Sequence, residues 1–283
     1  MRALEVLATG PAALVQDLGR PGYAHLGVPP SGALDAPALR LANRLTGNPE
    51  DTAGIEALLG GLSVRANCSC TVAVTGPPVA VTVDDRAVGS HVPVHLAAGR
   101  TLTIAPPQAG LRCYLAVSGG IDVEPELGSR SRDVLSEIGP PPLKPGDVLP
   151  LGERRGIPAG EDELTAPRVH ADLVVPVQLG PRDDWFADPA GQLARTWTVT
   201  PESNRVGLRL DGEPLRREKN DELPSEGLLT GAIQVPPSGS PVVFLADHPT
   251  TGGYPVIGVV APGSLPALAQ ARPGTTVRFR VVR

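Results

Sequence analysis

Apolar and polar residues alternate with a period of two along much of the chain. This predicts strands over Thr71–Val74, Val79–Val83, Thr101–Ile104, Cys113–Val117, Val174–Leu179, Val206–Leu210, Val242–Leu245, Val256–Val260 and Val277–Val281. Helical spacing is rare and short. Asp35 is placed to cap a helix running to Leu45 and stopped by Gly47, and Asn48-Pro49-Glu50-Asp51 predicts a second helix ending at Gly60-Gly61. A third is expected from Leu265 to Ala269 after Ser264 and before Pro273. The chain therefore reads as mostly β with a few short helices.

Landmarks in the two halves echo one another. Val74 to Pro77 resembles Val177 to Pro181, Val81-x-Val83-Asp84-Asp85 resembles Leu208-x-Leu210-Asp211-Gly212, and Tyr114-Leu115-Ala116 resembles Phe244-Leu245-Ala246. Chance matching in a chain rich in Gly and Pro is the alternative source of the echo. The charged stretch Gly152 to Thr165 has no apolar periodicity, so the expected domains are 1–155, with a long N-terminal loop and two helices, and 156–283.

Composition narrows the class. With 33 Gly and 33 Pro among 283 residues but 41% hydrophobic content, the chain is expected to pack and not to remain disordered. Its 19% charged residues and net charge of -5 give no basic field for nucleic acid or an anionic membrane. Cys68, Cys70 and Cys113 form no CxxC pair, and Gly10, Pro11, Gln16, Asp17 and Arg20 interrupt any secretory apolar core, so a reducing cytoplasm is expected. Gly227 to Ala246 and His248 to Ala271 are long and uncharged, but Pro236, Pro237, Pro241, Pro255, Pro262 and Pro266 would break a lipid-exposed helix. No membrane span is expected.

Several familiar sites are absent from the sequence. It has no GxxxxGK[ST] loop, GxGxxG fingerprint, HExxH or GxSxG elbow. His91 and His95 flank Pro93 on a strand-like stretch, which holds them too far apart to share a ligand, and no metal is expected in this chain. The only lysines are Lys144 and Lys219, and the only methionine is Met1. A Met-Lys-Met biotin attachment site is therefore missing, and covalent biotin on this chain is not expected.

The polar chemistry is concentrated. Between Gly227 and Ala271 the only charged side chain is Asp247, directly after the apolar run Val242 to Ala246. A carboxylate leaving a buried strand must be paired or hydrogen-bonded. His248, Thr250, Thr251, Gly252, Gly253 and Tyr254 follow it, offering hydroxyls, a phenol and unobstructed amides that suit an anion or a polarised carbonyl. The expectation is that Asp247 faces an accessible cleft beside these groups; the plain alternative is a turn in which it caps its own loop. Two further clusters are the loop from Gln16 to Asp35, with Asp17, Arg20 and Ser31, and Ser203-Asn204-Arg205 leading into a strand. An arginine clamps a carboxylate bidentately, although one at a strand start is usually a surface residue.

The stretches QDLGRPGY, GVPPSGALD, YLAVSGGID, LGSRS, PESNRVGLRL, GAIQVPPSG and DHPTTGGYP resemble the biotin-dependent carboxyltransferase family. That family contains the 5-oxoprolinase C subunit, also called allophanate hydrolase subunit 2, and the carboxyltransferase domain of urea carboxylase. The resemblance implies two cyclophilin-like β-barrel halves. On its motifs lie the candidate catalytic residues Asp247, Thr250 and Thr251, and the candidate substrate-binding residues Asp17, Arg20, Ser31, Asn204, Arg205, Gln234, Ser238, Gly252, Gly253 and Tyr254. Arg132 stands where the family tends to have Thr, and Asn204 where Asp is common, so no acid or base is available at position 204.

The function implied is that of an amide (lactam) hydrolase subunit opening 5-oxo-L-proline to L-glutamate with ATP as co-substrate. It would be active in a hetero-complex with two further 5-oxoprolinase subunits, the B chain of kinase-inhibitor type and the A chain. Two alternatives stay open: a carboxyltransferase subunit for urea or allophanate, with biotin on another chain, and a binding module that antagonises the kinase-inhibitor partner. A shared fold does not decide among them.

Overall fold

The computed structural model describes residues 2–158, 167–219 and 221–282. These divide into two compact units, one drawn from Met1–Arg20, Asp35–Asp133 and Glu137–Val169, the other from Pro21–Leu34, Val134–Ser136 and His170–Arg283. The expected break between Gly152 and Thr165 falls in part outside the described residues, since 159–165 are not among them.

The first unit contains β1 (Ala3–Thr9), β2 (Ala12–Gln16), α1 (Ala36–Leu45), β3 (Gly54–Leu58), β4 (Leu62–Ala66), β5 (Cys70–Thr75) and β6 (Val81–Val83). It continues with β7 (Arg86–Val88), β8 (Val94–Leu96), β9 (Thr101–Ile104), β10 (Arg112–Val117) and β11 (Val148–Pro150). Its strands form a six-stranded sheet in the order β11-β1-β4-β9-β6-β7 and a five-stranded sheet in the order β2-β3-β10-β5-β8. Fully buried Leu4, Val64, Leu102 and Ile104 from the first sheet join Val15, Ile55, Val72 and Leu115 from the second in one core. Asp35 caps α1 as expected, its Oδ1 accepting from the Ala38 amide at 3.2 Å.

The second helix expected in this unit does not form. Residues after Asn48 make a loop, and Gly54–Leu58 is a strand between β2 and β10. Asn48 donates to the Val117 carbonyl at 2.8 Å and accepts from the Gly119 amide at 2.8 Å, so the residue that looks like a helix cap ties the loop to the end of β10. That non-local bonding outcompetes the local start signal.

The second unit contains β12 (Asp172–Leu179), α2 (Pro189–Leu193), β13 (Thr196–Val199), β14 (Gly207–Asp211), β15 (Glu226–Gly227) and β16 (Ala232–Gln234). β17 (Val242–Phe244), β18 (Thr251–Gly252), β19 (Val256–Val260), α3 (Leu265–Ala269) and β20 (Thr276–Val281) follow. Seven strands close into a barrel in the order β12-β19-β16-β17-β14-β13-β20, around Val177, Trp197, Ile233, Val243, Ile257 and Val277, each fully buried. β15 and β18 form a separate two-stranded ribbon. The chain is thus mostly β, as its period-two pattern indicates. The landmarks that echo in sequence do not share a pairing: β5 lies beside β10, whereas their counterparts β12 and β17 are not neighbours.

Candidate functional site

Asp247 leaves the barrel just after β17 and is completely buried. Its carboxylate is saturated. Oδ2 accepts from Arg205 Nε at 2.8 Å and from the Val134 amide at 3.1 Å, while Oδ1 accepts from Arg205 Nη2 at 3.0 Å and from Ser31 Oγ at 2.7 Å. Arg205 is 6% exposed and also donates through Nη2 to the Gly32 carbonyl at 2.6 Å. Ser31 holds a left-handed φ of 54°, rare for a residue with a side chain. Its hydroxyl on Asp247 and its amide on the Ala246 carbonyl at 3.0 Å pin it there.

Asp247 is therefore not the cleft-facing carboxylate the sequence suggests, nor does it cap its own loop. With both oxygens engaged and a guanidinium across both of them, it has no lone pair left to take a proton from a substrate. Arg205 is likewise occupied by Asp247, which removes it as a holder of a substrate carboxylate. The arrangement fastens the Ser31-Gly32 turn and the start of β14 to the loop that begins at Asp247.

That loop is what reaches the surface. Thr251, Gly253 and Tyr254 are exposed, and the Thr250 and Thr251 hydroxyls make no hydrogen bond among the described residues. Backbone bonds hold the loop in place: the Leu228 amide donates to the Thr250 carbonyl at 2.9 Å, and Thr251–Gly252 pairs with Glu226–Gly227. Buried Gln234 donates through Nε2 to the Tyr254 carbonyl at 3.2 Å. Gly252 lies so close that a Cβ there would sit 2.5 Å from Gln234 Nε2.

Three groups that sequence reasoning did not single out join this face. Arg182 and Glu226 form a bidentate ion pair, with Nε to Oε2 at 3.1 Å and Nη2 to Oε1, and Arg182 holds the Glu226 carboxyl below its usual range. The Arg217 guanidinium lies 6.0 Å from the centre of the Tyr254 ring. Each is distant in sequence from the loop it meets, and only the fold brings them together.

The remaining predicted residues are elsewhere. Asn204 closes a tight turn, its Oδ1 accepting from the Val206 and Gly207 amides at 2.9 and 3.3 Å. Ser238 lies in the turn between β16 and β17 and accepts from the Ser240 amide at 3.3 Å.

Asp17 and Arg20 belong to the first unit. Asp17 Oδ1 accepts from Ser129 Oγ and Ser131 Oγ, both at 2.6 Å, and from the Gly19 amide at 2.7 Å, while Oδ2 accepts from the Arg130 amide at 2.6 Å. Arg20, 2% exposed, donates to the carbonyls of Glu126 at 3.3 Å and Ser131, so Ser131 links the two residues. The spacing of Ser129 and Ser131 in LGSRS is the sequence signal for this cradle. Asp17 also borders a polar cavity of about 530 Å³, lined further by Asp51, Asp122, Arg130, Glu153 and Arg155. Among the described residues no three His, Cys, Asp or Glu side chains cluster as a metal site, and no helix is long and apolar enough to cross a membrane.

Residues 26–281 match the family described as carboxyltransferase domain, subdomain A and B, and the chain belongs to that family. It is 39% identical to the C subunit of 5-oxoprolinase from Escherichia coli (strain K12) over 98% of this chain and 90% of that protein. It is 32% identical to urea amidolyase of Saccharomyces cerevisiae over 98% of this chain but 16% of that protein. The solved Kluyveromyces lactis urea carboxylase superposes with a TM-score of 0.91 at 32% identity, covering 99% of this chain and 27% of that one. Another solved chain, 36% identical with a TM-score of 0.89, is spanned over 56% of its length.

Proposed function

We propose that this chain is the C subunit of an ATP-dependent 5-oxoprolinase. The observation that carries this reading is the alignment to the Escherichia coli 5-oxoprolinase C subunit at 39% identity over 98% of this chain and 90% of the relative. The reaction opens the lactam of 5-oxo-L-proline to L-glutamate, in a cytoplasmic complex with two further subunits, the kinase-inhibitor-type B chain and the A chain. ATP is the co-substrate of the complex: transfer of its terminal phosphoryl group to the amide oxygen releases ADP and activates the carbonyl carbon toward water, the C–N bond then breaks with the ring nitrogen leaving as the amine, and a second water hydrolyses the resulting acyl phosphate to L-glutamate and phosphate. The sequence has no GxxxxGK[ST] phosphate loop, so a nucleotide bound to this chain would be held some other way.

This chain contributes the loop from Thr250 to Tyr254. Its two unbonded hydroxyls and the Gly253 amide meet the charge on the amide oxygen and the phosphoryl group it receives, where such donors act most strongly, while the Gly252 amide is held in the pairing with Glu226. Asp247 is a positioning residue: paired with Arg205 and Ser31, it fixes where the loop begins. The test is hydrolysis of ATP by the three purified subunits together, with 5-oxo-L-proline, urea and allophanate compared. Turnover that requires 5-oxo-L-proline and all three chains supports the reading.

A second reading is favoured by the family itself and by the match to urea carboxylase at a TM-score of 0.91: a carboxyltransferase acting on a urea-type amide. It requires biotin on another chain, since neither Lys144 nor Lys219 lies between methionines. Turnover with urea that depends on a biotinylated partner supports it. Tight association of the subunits with no turnover of any of the three substrates supports instead a binding module.

A further inference from the structure

Beside the Tyr254 ring of the Thr250 to Tyr254 loop, Arg217 forms no ion pair among the described residues. Arg182 and Glu226 neutralise each other, and so do Arg205 and Asp247. The stretch from Gly227 to Ala271 supplies no other charge. Arg217 packs against this stretch, donating through Nη2 to the Val235 carbonyl. Its Nε is buried without a partner, and no carboxylate bonds to it among the described residues. Burial accordingly holds its guanidinium below the usual arginine range, opposed only by the nearby Tyr254 phenol. Arg217 Nη1, which is not among the buried atoms, is the end left to meet an anion, the partner that guanidinium geometry suits. Beside it stands the Tyr254 ring, 45% exposed, a flat apolar surface next to a cationic one.

We infer that Arg217 and Tyr254 form a subsite for a carboxylate carried on a small flat ring. The guanidinium takes the carboxylate through Nη1 and the phenol ring covers one face of the ring, while the Thr250 and Thr251 hydroxyls and the Gly253 amide remain for the amide group. The anion preference rests on the charge account alone. Its assignment to the carboxylate of 5-oxo-L-proline rests on the function proposed above.

The test compares 5-oxo-L-proline with 2-pyrrolidinone, the same lactam without the carboxylate, in the three-subunit complex carrying wild-type chain, Arg217→Gln, Arg217→Lys or Tyr254→Ala. Arg217→Gln is expected to raise KM for 5-oxo-L-proline by roughly tenfold or more with kcat changed far less, and to erase the preference over 2-pyrrolidinone. Arg217→Lys should recover part of the loss, and exposed Tyr254 provides a variant that does not burden the fold. An unchanged KM and an unchanged preference in both Arg217→Gln and Tyr254→Ala overturn the inference.

Ligand-observed NMR on the full chain with the same two compounds separates the inference from its parent reading. If the wild-type complex turns over no 5-oxo-L-proline, the parent reading fails. Carboxylate binding that is lost in Arg217→Gln then still supports the subsite, and its absence in the wild-type chain rejects it.

Discussion

The Arg205 guanidinium grips both oxygens of the Asp247 carboxylate, Nε on Oδ2 at 2.8 Å and Nη2 on Oδ1 at 3.0 Å, with neither side chain open to solvent. A bidentate pair of this kind is directional as well as strong. It also explains how the charge-poor stretch tolerates its single acid.

Asp247→Asn and Arg205→Met each leave a buried group without its partner and are expected to destabilise the chain by about 3–5 kcal/mol. The double variant Asp247→Asn with Arg205→Met removes both charges and should be less destabilised than the sum of the single changes. Urea unfolding of all variants gives the coupling. Additive losses would show that the two side chains do not act as a pair.

The Asp17 cradle makes a parallel prediction in the first unit. Four donors converge on its carboxylate, two of them hydroxyls from Ser129 and Ser131. Asp17→Ala is expected to cost about 3 kcal/mol, since hydrogen bonds to a charged group are each worth about 1.5–3 kcal/mol and water can replace some of them. Ser129→Ala should cost about 1 kcal/mol. Thermal unfolding checks the order, and equal losses for the two variants would deny the carboxylate its central place.

Much of this architecture is legible along the chain, and the exceptions have physical causes. β9 and β19 coincide with their predicted spans because Thr alternates with Leu and Ile in the first, and four of the five residues of the second are Val or Ile. β1 and β2 are Ala-rich and carry little β preference of their own. β3 buries Glu56, which breaks the apolar alternation, because Tyr114 and Arg112 reach it across the sheet. The site is legible as motifs but not as geometry. Asp247 stands out by its isolation, yet its partners lie 42 and 216 residues away, and nothing in residue order distinguishes a sealed ion pair from an open carboxylate. Arg217 carries no local signal at all; its meaning comes from the absence of an acid bonded to it among the described residues.

Tyr114 gives the chain an alkaline limit. Its hydroxyl donates to Glu56 Oε2 at 2.7 Å and accepts from the Asp35 amide at 2.8 Å. Complete burial, with the Glu56 carboxylate alongside, pushes its ionisation well above the usual tyrosine value. The folded state therefore favours the neutral phenol. The stability this contributes is fully present below about pH 10, where an unfolded tyrosine ionises, and is lost as pH rises from there toward the folded-state value. The expected slope is about 1.4 kcal/mol per pH unit for this one proton. Tyr114→Phe should flatten that limb while costing about 1–2 kcal/mol at pH 7 for the bonds it deletes. Denaturant midpoints measured from about pH 7 to 11 bracket the ordinary tyrosine value and decide the matter. An identical alkaline limb in both proteins would place its origin elsewhere.

Thr251 separates chemistry from architecture. It is exposed and its hydroxyl bonds to nothing among the described residues, whereas its backbone pairs with Gly227. Replacing it with Ala leaves that backbone pairing intact, so stability should change by no more than about 0.5 kcal/mol. If the hydroxyl meets charge developing on the substrate, turnover of the assembled complex should fall by about tenfold or more, chiefly in kcat. Thr251→Ser, which keeps the hydroxyl, should retain most of the activity. Asp247→Asn will lower activity and stability together, because it acts through the fold, whereas Thr251→Ala should lower activity alone. A Thr251→Ala complex that is folded, assembled and fully active would remove this hydroxyl from the reaction and leave the Thr250 hydroxyl and the Gly253 amide as the donors.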